Sequence, residues 1–247
     1  MNLFCGFIAI IQILEGNPVL GAWLIVFAGV FDMLDGFMAR LANADSEFGI
    51  ELDSLSDMVS FGAAPAILLY TFGLNELQLL GIIICSFIPL CGAVRLARFN
   101  VDAKTDGDPG YFKGLPIPAQ ALMVAAFYLT FAGNFELFSG FEYGVNSVII
   151  PIIVLLSFLM VSTVPFDKVP RFSRGQMKQF KGRILLFAAY SIVILTLQEY
   201  GLMIVFSVFI LKGLTTAVFR FWNSISNGEE DEDEDEDTGM INDYGIR

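Results

Sequence analysis

The chain has 247 residues, 55% of them hydrophobic and 16% charged, with 25 phenylalanines and no histidine. A soluble domain of this length is nearer half apolar and about a quarter charged, so an ordinary soluble fold is a poor fit. Without histidine there is no Ser–His triad, no phosphohistidine intermediate and no His-ligated zinc, and acid–base work falls to carboxylates, Lys, Tyr or Cys.

The formal net charge of −12 includes nine consecutive carboxylates, Glu229–Asp237, and without them it is −3. A block of like charges that long repels itself and stays solvated, so residues 223–247 are expected to be a disordered acidic tail. The low pI therefore describes the tail more than the fold, and no nucleic-acid partner is expected. Cys5, Cys85 and Cys91 lie in apolar runs without CxxC spacing, which suits packing residues better than ligands or a disulfide framework.

In chain order, apolar segments are predicted at 1–14, 19–43, 49–72, 76–99, 116–135, 145–165, 181–198 and 201–222. Most approach the ~20 residues that cross a ~30 Å hydrocarbon core. Lipid offers no water to backbone groups, so such runs must be helices. The expected fold is an all-α polytopic membrane protein of about eight transmembrane helices. The first segment would rise only about 21 Å at 1.5 Å per residue. It lacks the basic start and small-residue cleavage site of a signal peptide. Either it packs short within the bundle or native residues precede Met1.

The basic residues give an orientation. Arg40, Arg95, Arg98, Lys104, Lys113, the run Lys168–Arg183, Arg220 and Arg247 all fall at one set of segment ends. The opposite loops Glu15–Pro18, Phe72–Glu76, Ala132–Tyr143 and Gln198–Tyr200 hold no Lys or Arg. Loops rich in Lys and Arg face the cytoplasm, which puts both termini on that side of the cytoplasmic membrane. The loop Lys168–Arg183 suits contact with anionic membrane lipid.

Within this apolar chain lie acids that a bilayer penalises by roughly 2.5–3.5 kcal/mol each, so intramembrane carboxylates point to function. Asp32 and Asp35 share a stripe of the second segment with Gly36, Ala39 and Arg40; Gly49, Asp53 and Asp57 share one on the third. The short connection Leu41–Phe48 makes these segments antiparallel neighbours, with both acid pairs in their cytoplasmic halves. Pairing with Arg40 or helix capping would explain one such acid readily, but four at this spacing poorly. Converging carboxylates need a proton or a cation among them. An all-oxygen set selects hard ions: Mg²⁺, Mn²⁺ or Ca²⁺. Two metals bridged by acids form the clamp used for in-line displacement at phosphorus.

The string Asp32-x2-Asp35-Gly36-x2-Ala39-Arg40-x8-Gly49-x3-Asp53-x3-Asp57 resembles the signature of the CDP-alcohol phosphatidyltransferase family. The resemblance implies a six-helix core, commonly a homodimer, with a polar cavity open to the cytoplasm. It implies that Asp32, Asp35, Asp53 and Asp57 bind two divalent ions, Mg²⁺ or Mn²⁺. It makes Asp57 also the catalytic general base. Gly36, Ala39 and Arg40, with Gly49 of the same string, would hold the cytidine diphosphate. Residues 1–222 would be the integral membrane catalytic domain.

Three stretches resemble the phosphatidylserine synthase branch of that family: Ser46–Pro65, Arg95-Leu-Ala-Arg-Phe-Asn100 and Lys113-Gly-Leu-Pro-Ile-Pro-Ala-Gln120. This resemblance implies CDP-diacylglycerol and L-serine as substrates. Serine's carboxylate asks for a cation, and Arg95, Arg98, Lys113 and Lys212 are candidates. The alternatives for Arg95 and Arg98 are headgroup anchoring at a helix end, and for Lys212 snorkelling. Relatives carry a Pro-Asn-x-x-Thr element ahead of the segment matching Asn2-Leu-Phe-Cys-Gly6, and here the sequence starts at Met1. Two other readings stay open. One is a different acceptor such as glycerol 3-phosphate or an inositol compound, which would want more cations. The other is a divalent-cation channel or transporter, which would need a continuous polar path.

Overall fold

A computed structural model of the chain describes residues 1–42, 46–105, 111–167, 196–219 and 222. Its described residues are almost entirely helical. α1 spans Asn2–Leu14 and α2 Pro18–Ala42. Proline suits the first position of α2, because that N–H has no helical partner in any case. α3, Glu47–Asp57, is opened by Ser46, whose Oγ accepts the Gly49 N–H at 3.0 Å, satisfying one of the unpaired donors of a helix start. A π turn over Met58–Ala63 then carries the chain without a break into α4, Ala64–Phe72.

α5 runs from Leu79 to Thr105 with Pro89 inside it, α6 from Ile117 to Phe131 and α7 from Asn146 to Val161. The short strands β1, Tyr111–Lys113, and β2, Pro165–Asp167, pair antiparallel with Phe112 opposite Phe166. α8 spans Thr196–Phe219. Near its start Gln198 is left-handed, φ 48°, at the break expected between the last two apolar segments. The bulk of the seventh segment, 181–195, lies outside the described residues, as do the basic loop from Lys168 and the acidic tail.

Four helical stretches are long and apolar enough to cross a bilayer: Pro18–Met38, Glu47–Phe72, Leu79–Asp102 and Thr196–Phe219. Asn2–Leu14, Ile117–Phe131 and Asn146–Val161 are shorter apolar helices. Many large apolar side chains face outward, Leu79 and Phe158 among them at 69% and 71% exposure. Hydrocarbon, not water, is the solvent that suits such a surface, and the chain is an integral membrane protein.

The short first helix is not peripheral. It lies between the helices that bear the acids, against α2 on one side and α3, the π turn and α4 on the other. Ala9 and Ile13 are buried there, and a side chain on Gly21 of α2 would collide with Ile13. A Cβ on Gly6 would run into the backbone and hydroxyl of Ser60 in the π turn. Small residues let helix backbones approach where lipid supplies no hydrophobic drive between helices. The sequence left open whether the first segment packs short within the bundle; it does. The expected direct pairing of the second and third segments is replaced along much of its length by this wedge.

Candidate active site

Asp32 stands on α2, and Asp53 and Asp57 stand one turn apart on α3. One carboxylate oxygen from each lies within 4.8 Å of the other two. Depth increases along the group: Asp53 is exposed, Asp32 half-buried and Asp57 only 7% exposed. Asp35 is turned outward, and its Oδ2 pairs with the α-amino group of Met1 at 3.2 Å. Three of the four predicted carboxylates therefore converge, and the fourth stands one helical turn along the rim.

Asn2 closes the deep end of this group. Its Nδ2 donates to Asp57 Oδ1 at 2.9 Å and to Asp32 Oδ1 at 3.4 Å. Its Oδ1 is buried and has no hydrogen-bond partner among the described residues. The Asn2 main chain is fixed as well, because Ser60 Oγ donates to its carbonyl at 3.1 Å. Sequence reasoning missed both residues. The available signal was one polar side chain at the start of an apolar helix, a position that ordinarily suggests nothing beyond a helix end. The π turn directly after Asp57 was also missed; such turns recur at functional sites.

Basic side chains are unevenly placed. Arg95 is 6% exposed, with its guanidinium 5.3 Å from the centre of the Phe99 ring. It is close enough to Asp57 and Asp32 to interact with both charges. Arg98 is committed elsewhere: it donates to the carbonyls of Val161, Ser162 and Lys113 at 2.9, 2.9 and 3.2 Å, and to that of Met160 at 3.5 Å. Lys113 pairs with Asp102 at 3.4 Å, and Lys212 is exposed on α8. Gly36 and Gly49 flank the acids on α2 and α3, and Ala39 and Arg40 follow on α2. The Ala39 and Arg40 side chains lie outside what the structure describes.

The three stretches singled out in the sequence are physically joined. Asn100 Nδ2 donates to Ser54 Oγ at 3.0 Å, and Arg98 binds the Lys113 carbonyl. Gly114, at φ +81°, donates to Val164 O at 2.8 Å, and Leu115 donates to Leu159 O at 2.9 Å. That left-handed turn suits glycine, and a Cβ there would press on the Met160 and Ser162 carbonyls.

Ile25, Ala28, Phe61 and Ala64 are apolar and fully buried, and the interior also holds the buried polar side chains of Ser60, Gln120 and Ser157. The donor set fits a hard divalent cation. It is all oxygen, three carboxylates converge, and the deepest is partnered by a carboxamide whose own oxygen is unpaired.

The family profile described as CDP-alcohol phosphatidyltransferase matches residues 1–163, a span that contains all of the acids discussed. The chain belongs to the CDP-alcohol phosphatidyltransferase family. It is 34% identical over 233 residues to the CDP-diacylglycerol–serine O-phosphatidyltransferase of Helicobacter pylori, covering 92% of this chain and 91% of the relative. It is 37% identical over 167 residues to the enzyme of the same name from Bacillus subtilis, covering 67% and 84%. It is 36% identical over 171 residues to the archaetidylserine synthase of Methanothermobacter thermautotrophicus, covering 68% and 67%.

Proposed function

We propose that this chain transfers the phosphatidyl group of CDP-diacylglycerol to the hydroxyl of L-serine, giving phosphatidylserine and CMP. The names of its relatives support the substrates. The convergence of Asp32, Asp53 and Asp57 from two membrane helices is the observation that carries the chemistry.

Asp57 accepts the proton of the serine hydroxyl. The serine oxygen then forms its bond to the lipid-bearing phosphorus as the bond from that phosphorus to the CMP oxygen breaks. A side chain at hydrogen-bond reach of a proton, on a site built before the substrate arrives, is what general-base catalysis requires. Asp32, Asp35, Asp53 and Asp57 would hold one or two divalent ions, Mg²⁺ or Mn²⁺. A bound ion supplies positive charge to the diphosphate and the departing CMP. Gly36, Ala39, Arg40 and Gly49 bind the cytidine diphosphate portion. Arg95 receives the serine carboxylate; its burial beside Asp57 supports it over Arg98 and Lys113, which are engaged with carbonyls and with Asp102. Among the described residues one arginine, Arg95, lies at the cluster, which suits an unphosphorylated acceptor better than a phosphorylated one.

The shorter helices α1, α6 and α7 join the four long ones in a bundle around a six-helix core. Both termini and the site face the cytoplasm, a reading that the one-sided distribution of Lys and Arg supports. The protein works as a homodimer in the membrane lipid.

Purified protein given CDP-diacylglycerol and Mn²⁺ or Mg²⁺ should release CMP when L-serine is added. CMP release with glycerol 3-phosphate or inositol but not serine would keep the family chemistry and overturn the acceptor.

A further inference from the structure

The Asn2 carboxamide occupies a place that its hydrogen bonds only half explain. The side chain is 4% exposed, its nitrogen lies against Asp57 and Asp32, and its oxygen is buried without a partner. An unmade hydrogen bond at a buried acceptor is unfavourable, because the group has lost its water and gained nothing in return. Among the described residues nothing on the oxygen side holds the amide in its present sense. The two carboxylates alone orient it, so the charge at the cluster decides which end points inward.

The 2.9 Å of the Asn2–Asp57 hydrogen bond also leaves room for both groups to be neighbouring ligands on one ion. Six-coordinate Mg²⁺ bonds oxygen at ~2.0–2.1 Å, so two oxygens at right angles on it lie ~2.9 Å apart. The Asn2 terminal atom stands 2.9 Å from Asp57 Oδ1. A half-turn of the carboxamide about its last side-chain bond exchanges nitrogen and oxygen with no change in shape. The backbone need not move, because Ser60 already fixes the Asn2 carbonyl. A neutral carboxamide oxygen is an ordinary ligand for hard cations.

We propose that Asn2 is a ligand of the divalent cation, turning its amide oxygen inward to join Asp32 and Asp57 when the ion binds. This rests on the cluster being a cation site. With nitrogen inward the same side chain bridges the two carboxylates and keeps them in register. The residue therefore alternates between tying the acids together and completing the ion's oxygen shell.

The test is Mn²⁺ binding to the full chain in detergent, read by the loss of the free-ion electron paramagnetic resonance signal. Wild type is compared with Asn2→Leu and Asn2→Asp, each checked for wild-type elution and helicity. Asn2→Leu should weaken Mn²⁺ binding by about tenfold or more, the scale on which lost partners reduce metal affinity. Asn2→Asp keeps an oxygen and removes the N–H, and should bind Mn²⁺ at least as tightly as wild type. Asn2→Asp binding as weakly as Asn2→Leu would show that only the N–H matters and overturn the proposal. Asn2→Leu binding like wild type would overturn it too. Failure of the wild-type protein to bind Mn²⁺ at all would remove the cation site itself and Asn2's part in it.

Discussion

Arg98 of α5 reaches across to the end of α7, its Nη1 donating to the Val161 carbonyl at 2.9 Å. Its Nη2 donates to the next carbonyl, Ser162, and to that of Lys113 at the end of β1. The last carbonyls of a helix lack intrahelical donors, and a guanidinium fork can serve several at once. Arg98→Ala should lower stability by at least about 2 kcal/mol, given the strength of hydrogen bonds to charged groups. Arg98→Lys should recover little of it, since a point charge cannot reproduce the fork. Thermal unfolding in detergent measures this. A selective rise in the KM for serine at unchanged stability would instead mark Arg98 as an acceptor ligand.

Asp57→Asn should remove the base while keeping an oxygen for Asn2 to donate to. CMP release should fall by about 10²–10⁴, the usual contribution of a positioned general base, with helicity and elution unchanged. Turnover within a few-fold of wild type would assign the base elsewhere.

Chelation should act on stability as well as on activity. An ion that binds only the folded chain stabilises it by about 2.7 kcal/mol at a concentration 100 times its Kd. EDTA should therefore abolish CMP release and lower the unfolding temperature together, and added Mn²⁺ or Mg²⁺ should restore both. Asp32→Asn with Asp53→Asn should make the unfolding temperature indifferent to EDTA.

Arg95→Gln should raise the KM for serine by about tenfold or more, on the scale of 1.5–3 kcal/mol for a hydrogen bond to a charged group. The KM for CDP-diacylglycerol should change far less. Steady-state kinetics with each substrate varied in turn separates the two, and an equal change in both would count against Arg95 as the acceptor's cation.

Gly6→Val should be severely destabilising, because there is no space for a side chain against Ser60. Ser60→Ala should cost only about 1 kcal/mol, the loss of one hydrogen bond, and keep the fold. Helicity and elution of the two variants, side by side, check whether backbone approach or the hydroxyl holds α1 in place.

The positions of the acids and most helix ends could be read from the sequence because they depend on local periodicity and hydropathy. Asp32, Asp53 and Asp57 fall on their stripes by helical spacing, and the structure brings them together. Asn2, Ser60 and the engagement of Arg98 were not legible in the same way. Each depends on which helix lies beside which, and periodicity says nothing about neighbours. The insertion of α1 between the acid-bearing helices rests on Gly6 and Gly21, and two glycines in an apolar run carry no address. Arg98 and Arg95 look equivalent in sequence, three residues apart on one helix. They separate only because one meets the end of α7 and the other the carboxylates.

The π turn at Met58–Ala63 gives segment length a meaning of its own. Such a turn holds one residue more than a regular helical turn. Deleting a single residue within 59–62 would restore an ordinary helix, and because the wide turn already absorbs the extra residue, α3 and α4 would keep nearly their present phase. A second deletion there would have no wide turn to draw on and would rotate α3 by roughly 100° relative to α4, the angle per residue of an α-helix. Asp53 and Asp57 would then swing away from Asp32 while α4 stayed seated in the core. In this stretch the count of residues sets the angular phase between an acid-bearing half-helix and a structural one, and conserving the letters of the motif is not enough to conserve the site.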